Sequence, residues 1–177
     1  MRCFLLPVVT AILLIAAAPA VAGGKVEVQS KQVVGLTRFL EEQPLHADAP
    51  LIRSLLIDWE EKSKDVEDIV CLDLMFAVAN PEVPNGPQVM VQFIFGSAAY
   101  QIANPGEKGR LLPAQLAGLR SMLKVYGRFL ASDSAARIPV LDEWAAKEAA
   151  GTLESDLAAA VAKECSAKPI EGKPAQG

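Results

Sequence analysis

The residues of this chain best equipped for chemistry are three cysteines and one histidine. Cys71 lies inside the apolar run EDIVCLDLMFAV (67–78), two positions before an isolated acid, Asp73. Cys165 stands near the end of the chain and Cys3 near its start. A cysteine in an apolar run can be core filler, a thiolate nucleophile, a metal ligand or half of a disulfide. A zinc site needs more Cys or His ligands, at characteristic spacing, than His46 and two cysteines outside any CxxC supply. A Cys–His nucleophile would have to recruit His46, which sits in a proline-flanked loop. The favoured reading is a Cys71–Cys165 disulfide, with two structural thiols as the alternative.

The remaining candidates for chemistry are weaker. GxSxG, HExxH, P-loop and GxGxxG motifs are all absent from the sequence. Ser97 follows a glycine, but within a helical apolar run, and reads as a helix-packing serine. The acids Glu41–Glu42, Glu60–Glu61 and those in 65–68 read as solvated helix faces rather than cation ligands. Asp73 falls three residues after Val70, near the expected buried face. A buried carboxylate needs a partner because an unpaired buried charge is costly. Lys124 or Arg128 would supply one, with a functional acid as the alternative. Arg120, Lys124 and Arg128 recur every four residues and form a basic stripe, the candidate partner surface. The expectation is a non-enzyme with no catalytic residues, metal or cofactor.

The N-terminus, MRCFLLPVVTAILLIAAAPAVAGG, sets the compartment. One basic residue, an apolar stretch, Pro19 and the small residues Ala20-Val21-Ala22 have the layout of a secretory signal peptide, residues 1–22. An uncleaved anchor is the alternative, since the uncharged run 3–22 matches the length of a spanning helix. Export would place the chain in the periplasm or outside the cell, where paired thiols oxidise. Removing Arg2 from 17 basic residues leaves 16 against 21 acidic ones, a mature charge of −5. That balance offers no attraction for nucleic acid or anionic lipid. No second run is long and apolar enough to span a membrane.

The elements that must position these residues are helical. After a polar lead-in at 23–30, Val33, Val34, Leu36, Phe39 and Leu40 form one face of a first helix. Asp48 and Pro50 open a second, with Leu51, Ile52, Leu55, Leu56 and Trp59 as its stripe. The run 63–80 reads as a third helix, with a short strand at 68–71 as the alternative. NPEVPNGP is a break. PQVMVQFIFGSAAYQIAN is apolar almost all round, the mark of a central buried helix. Pro113 opens the longest helix, Pro139 a sixth that Gly151 stops, and Thr152 a last one ending at Cys165. The tail 167–177 has the composition of disorder. The expected class is all-α: one domain, residues 31–166, an array or bundle of six to seven helices.

The stretch FGSAAYQI through QLAGLRSMLKVYGRFLASDSAARIPVLDEW, within residues 93–144, resembles a tetratricopeptide-type helical hairpin. Gly96, Ala99 and Tyr100 stand for its first helix and Tyr126, Phe129 and Leu130 for its second. More broadly, the stretch from Cys71 to Cys165 resembles small exported bacterial helical proteins of unassigned function. That resemblance implies export and a helical fold, and implies no activity. The combined expectation is an exported, non-enzymatic protein-binding or scaffolding module whose partner is another exported protein. The alternative is a carrier whose apolar helices around VMVQFIF enclose a small apolar ligand or lipid.

Overall fold

The polypeptide folds as an all-helical bundle, seen in a computed structural model. The described residues are 27–165, apart from Asp68, Cys71, Leu72, Pro81 and the Leu74 side chain. The expected signal peptide, the tail and Cys71 therefore lie outside the described residues. The helices are α1 (Ser30–Glu42), α2 (Ala49–Glu60), α3 (Leu74–Ala79), α4 (Gly86–Ala103), α5 (Leu111–Ser132), α6 (Pro139–Ala150) and α7 (Leu153–Glu164). Short 3₁₀ turns at Pro105–Glu107 and Ser134–Ala136 link α4 to α5 and α5 to α6. No strand occurs among the described residues.

Local chemistry explains most boundaries. Pro50, Pro87 and Pro139 stand in first turns, where a missing N–H costs no helical bond. Gly151 ends α6 at φ +75°, a conformation that a Cβ disfavours. Thr152 then opens α7, its hydroxyl donating to Asp156 at 3.0 Å.

α4 is the centre of the fold. Val89 and Phe93 face a large core shared with α3, α5, α6 and α7. Phe95 faces a second core built from α1 and α2. Two cores on one helix explain why its sequence is apolar all round. Burying a side chain such as Phe93 contributes about 1.5–3 kcal/mol. α5 runs back along α4: Gln92 meets Ser121, Phe93 meets Gly118, and Gly96 meets Ala117 and Ser121. A Cβ on Gly118 would stand 2.6 Å from the Phe93 carbonyl oxygen, and one on Gly96 would collide with the Ser121 Cβ. Both glycines are thus required by close approach of the two backbones.

Two connections depart from expectation. The third helix does not run from 63 to 80; among the described residues of that run only Leu74–Ala79 is helical. The stretch before it stays irregular because distant glutamines take over its backbone hydrogen bonds. The buried Gln101 side chain accepts from the Glu67 N–H at 3.0 Å and donates to the Glu67 carbonyl at 3.1 Å. Gln115 donates to the Ile69 carbonyl. A backbone satisfied in this way has no need of helical or ladder partners. Asp73, expected near the core, is instead exposed at the start of α3. Shortening the helix removes the periodicity that had placed it inward. Its N–H donates to Glu164 at 2.7 Å, tying α3 to the end of α7.

A second tie joins α5 to α6. The buried Tyr126 hydroxyl donates to Asp142 at 2.5 Å and accepts from the Ile138 N–H at 3.1 Å. Burial, then the bond to Asp142, raises the phenol pKa above its ordinary value.

The glycine contacts give a signed test. Gly118→Ala should destabilise by about 1–3 kcal/mol, since the backbone of α4 must move to admit the methyl group. Gly127→Ala, with nothing within 4 Å of the new Cβ, should stabilise by about 0.4–1 kcal/mol. Urea unfolding of both variants checks the pair.

Candidate functional site

A trough of about 690 Å³ lies between α1, α4 and α5. Each helix contributes a periodic face. α1 presents Val34, Thr37, Arg38 and Glu41; α4 presents Gly96, Ala99, Tyr100 and Ala103. Both sets follow i, i+3, i+4, i+7 spacing, one side of a helix over two turns. α5 lines the opposite wall from Leu112 to Lys124, and Glu154 of α7 reaches the rim.

The trough exists because α1 and α5 both lie on α4 but meet each other at one end. There Lys124 Nζ lies 2.7 Å from Glu41 Oε2, closing that end. Beneath it, Gln92 donates to Ser121 Oγ at 2.9 Å, and Thr37 Oγ1 donates to the Phe95 carbonyl at 3.4 Å. These buried polar contacts fix the three helices around the floor. The floor is shallow in side chains, with Gly96, Ala99 and Ala117, and the walls carry Val34, Leu112 and Leu116.

The electrostatics of the lining oppose those of the chain. Arg38, Arg110, Arg120 and Lys124 face the acids Glu41 and Glu154, a lining charge of +2. The whole chain carries −4. Arg120 pairs with Glu148 at 3.0 Å and Arg110 with Glu107 at 2.7 Å. Arg38 is exposed and has no ion-pair partner among the described residues.

The basic stripe is therefore divided. Arg120 and Lys124 belong to the trough, whereas Arg128 lies outside it, in a neighbouring hollow with Glu41, Glu42 and Leu123. Lys124 pairs with Glu41, not with Asp73 as expected from sequence. Cys165 is half-buried at the end of α7 against the larger core, far in sequence from the trough helices. His46 lies elsewhere too, its ring edge-on to Phe39 and its Nδ1 accepting from the Asp48 N–H at 3.1 Å. Sequence reasoning missed Arg38, Tyr100, Arg110 and Leu112 as members of one surface. The signal available was the second, polar side of α1, whose four-residue step from Val34 to Arg38 matches that of Ala99 to Ala103.

Among the described residues no group of three or more His, Cys, Asp or Glu could hold a metal ion. No described helix is long and apolar enough to cross a membrane. The trough offers cations, a small-residue floor and apolar walls.

Replacing Arg120, Lys124 and Arg128 together with Gln should alter stability by no more than about 0.5 kcal/mol per site, because all three side chains are exposed. Chemical denaturation measures this, and a far larger loss would make the stripe a structural element. Comparison with protein-family models, curated proteins and solved structures finds no match for the chain.

Proposed function

We propose that this protein is a non-enzymatic binding module whose working surface is the trough between α1, α4 and α5. The observation that carries this reading is the positive lining of this trough on a negatively charged chain. Concave surfaces of helical arrays serve as partner-binding faces. The trough is open along its length and mixes charged with apolar groups, which favours a partner over a sequestered apolar ligand. A photo-crosslinking residue at the exposed trough position Ala103 should form a defined adduct in the native host. The same residue at Ala146, exposed on α6, should form none. Equal adducts at both positions would remove the trough from the function.

We also propose that the protein is exported, is cleaved after Ala22 and carries a Cys71–Cys165 disulfide. The Cys165 side chain is engaged rather than free. The Asp73–Glu164 hydrogen bond brings the chain two residues beyond Cys71 beside the residue preceding Cys165. A bridge closing so long a loop stabilises by roughly 4–5 kcal/mol in the chain-entropy model. Intact mass of the exported protein under non-reducing conditions should begin at Gly23 and lack two hydrogens. A mass retaining residues 1–22, or two thiols open to alkylation, would overturn the respective claim.

A further inference from the structure

The geometry points to a specific occupant for the trough: an acidic, amphipathic helix of about three turns belonging to a partner protein. This rests on the binding-module reading and deepens it. Length comes first. The α5 wall from Leu112 to Lys124 spans twelve helical rises, about 18 Å, the length of a helix of about 12 residues. Closeness comes second. Gly96, Ala99 and Ala117 keep side chains off the floor, so another helix can approach, while Val34, Leu112 and Leu116 offer it apolar contacts. A helix seated in such a groove anchors through residues at i, i+3, i+4 and i+7.

Charge selects the kind of helix. Arg38 has no acidic partner among the described residues, and Arg120 holds Glu148 at a solvent-exposed position, where partners exchange readily; Lys124 is exposed but its partner Glu41 is largely buried. Carboxylates flanking the apolar stripe of an incoming helix would meet these cations on both rims, since Arg38 is on α1 and Arg120 on α5. A basic helix would face a like-charged lining. The open side of the trough decides between a helix and a small amphipathic anion. An acyl chain lying there would leave one side in water, whereas a helix brings its own polar face to that side.

The test uses the full chain and a labelled peptide of about 14 residues, an amphipathic helix with leucines on one face and glutamates flanking it. Fluorescence anisotropy should show saturable binding that weakens with salt. Replacing the glutamates with lysines, or Arg38→Glu in the protein, should each weaken it by at least about tenfold. Arg38 is exposed, so that variant should keep its helical circular dichroism and melting temperature. Ala103→Trp, a second exposed position, should block the peptide sterically. Equal affinity for the acidic and basic peptides, or indifference to both variants, would overturn the proposal. Binding of laurate or dodecyl sulfate that Ala103→Trp abolishes, with no peptide binding, would also overturn it in favour of a small amphipathic anion. If the Ala103 crosslink to a partner persists while the acidic peptide fails, only the occupant is wrong. If both fail, the binding-module reading falls with it.

Discussion

The close crossing of α4 and α5 is the constraint on which the rest of the fold depends. Gly96 and Gly118 let the two backbones approach to within the reach of a single methyl group. Phe93 and Phe95, two residues apart and so on opposite sides of α4, enter the larger and the smaller core, and one helix joins both. The close crossing also lets Gln92 reach Ser121 across the interface. Wider separation would open a void along a buried face, and interiors close-packed like crystals tolerate few such voids. The remaining helices then dock on what this pair leaves exposed: α1 and α2 on one side of α4, and α3, α6 and α7 around the other side and α5.

Buried amides carry the polar part of this arrangement. Gln92, Gln101 and Gln115 are all nearly inaccessible to solvent. Each bonds across elements, Gln101 to the backbone at Glu67, Gln115 to Ile69, Gln92 to Ser121, and Gln101 also donates to Ser97 on its own helix. An amide offers both donors and an acceptor, so one side chain can replace both halves of a backbone pair, as Gln101 does at Glu67. The irregular segment before α3 can therefore lie against the bundle without secondary structure of its own. Its far end is held by the Asp73–Glu164 contact, which links the first half of the chain to the last helix.

The trough follows from the same geometry. α1 rests on α4 near Phe95 and also packs on α5, with Glu41 meeting Lys124 at one end. The wedge left between them is floored by the small residues that the α4–α5 crossing already demands. Packing thus supplies the shape, and surface residues of α1 and α5, with Arg110 and Glu154, supply its charge. Positive groups gather there because α1 contributes Arg38 and α5 contributes Arg120 and Lys124, with Arg110 just before it, while most of the acids that give the chain its negative charge lie on other faces.

The sequence by itself determined where the helices are. Proline in first turns, Gly151 at a helix end and three- to four-residue apolar steps are local signals, and α1, α2, α4, α5, α6 and α7 all answer to them. It also marked α4 as central, because no exposed face could be as apolar. The tertiary structure alone decided the state of the described residues around Glu67 and Ile69, since the groups that satisfy their backbone, Gln101 and Gln115, lie 34 and 46 residues away. It decided the exposure of Asp73 for the same reason. It also divided the basic stripe, pairing Lys124 with Glu41 across 83 residues and leaving Arg128 outside the trough. Periodicity reports that a face is buried or exposed. It does not report which other face lies opposite, and both the trough and its charge are properties of that pairing.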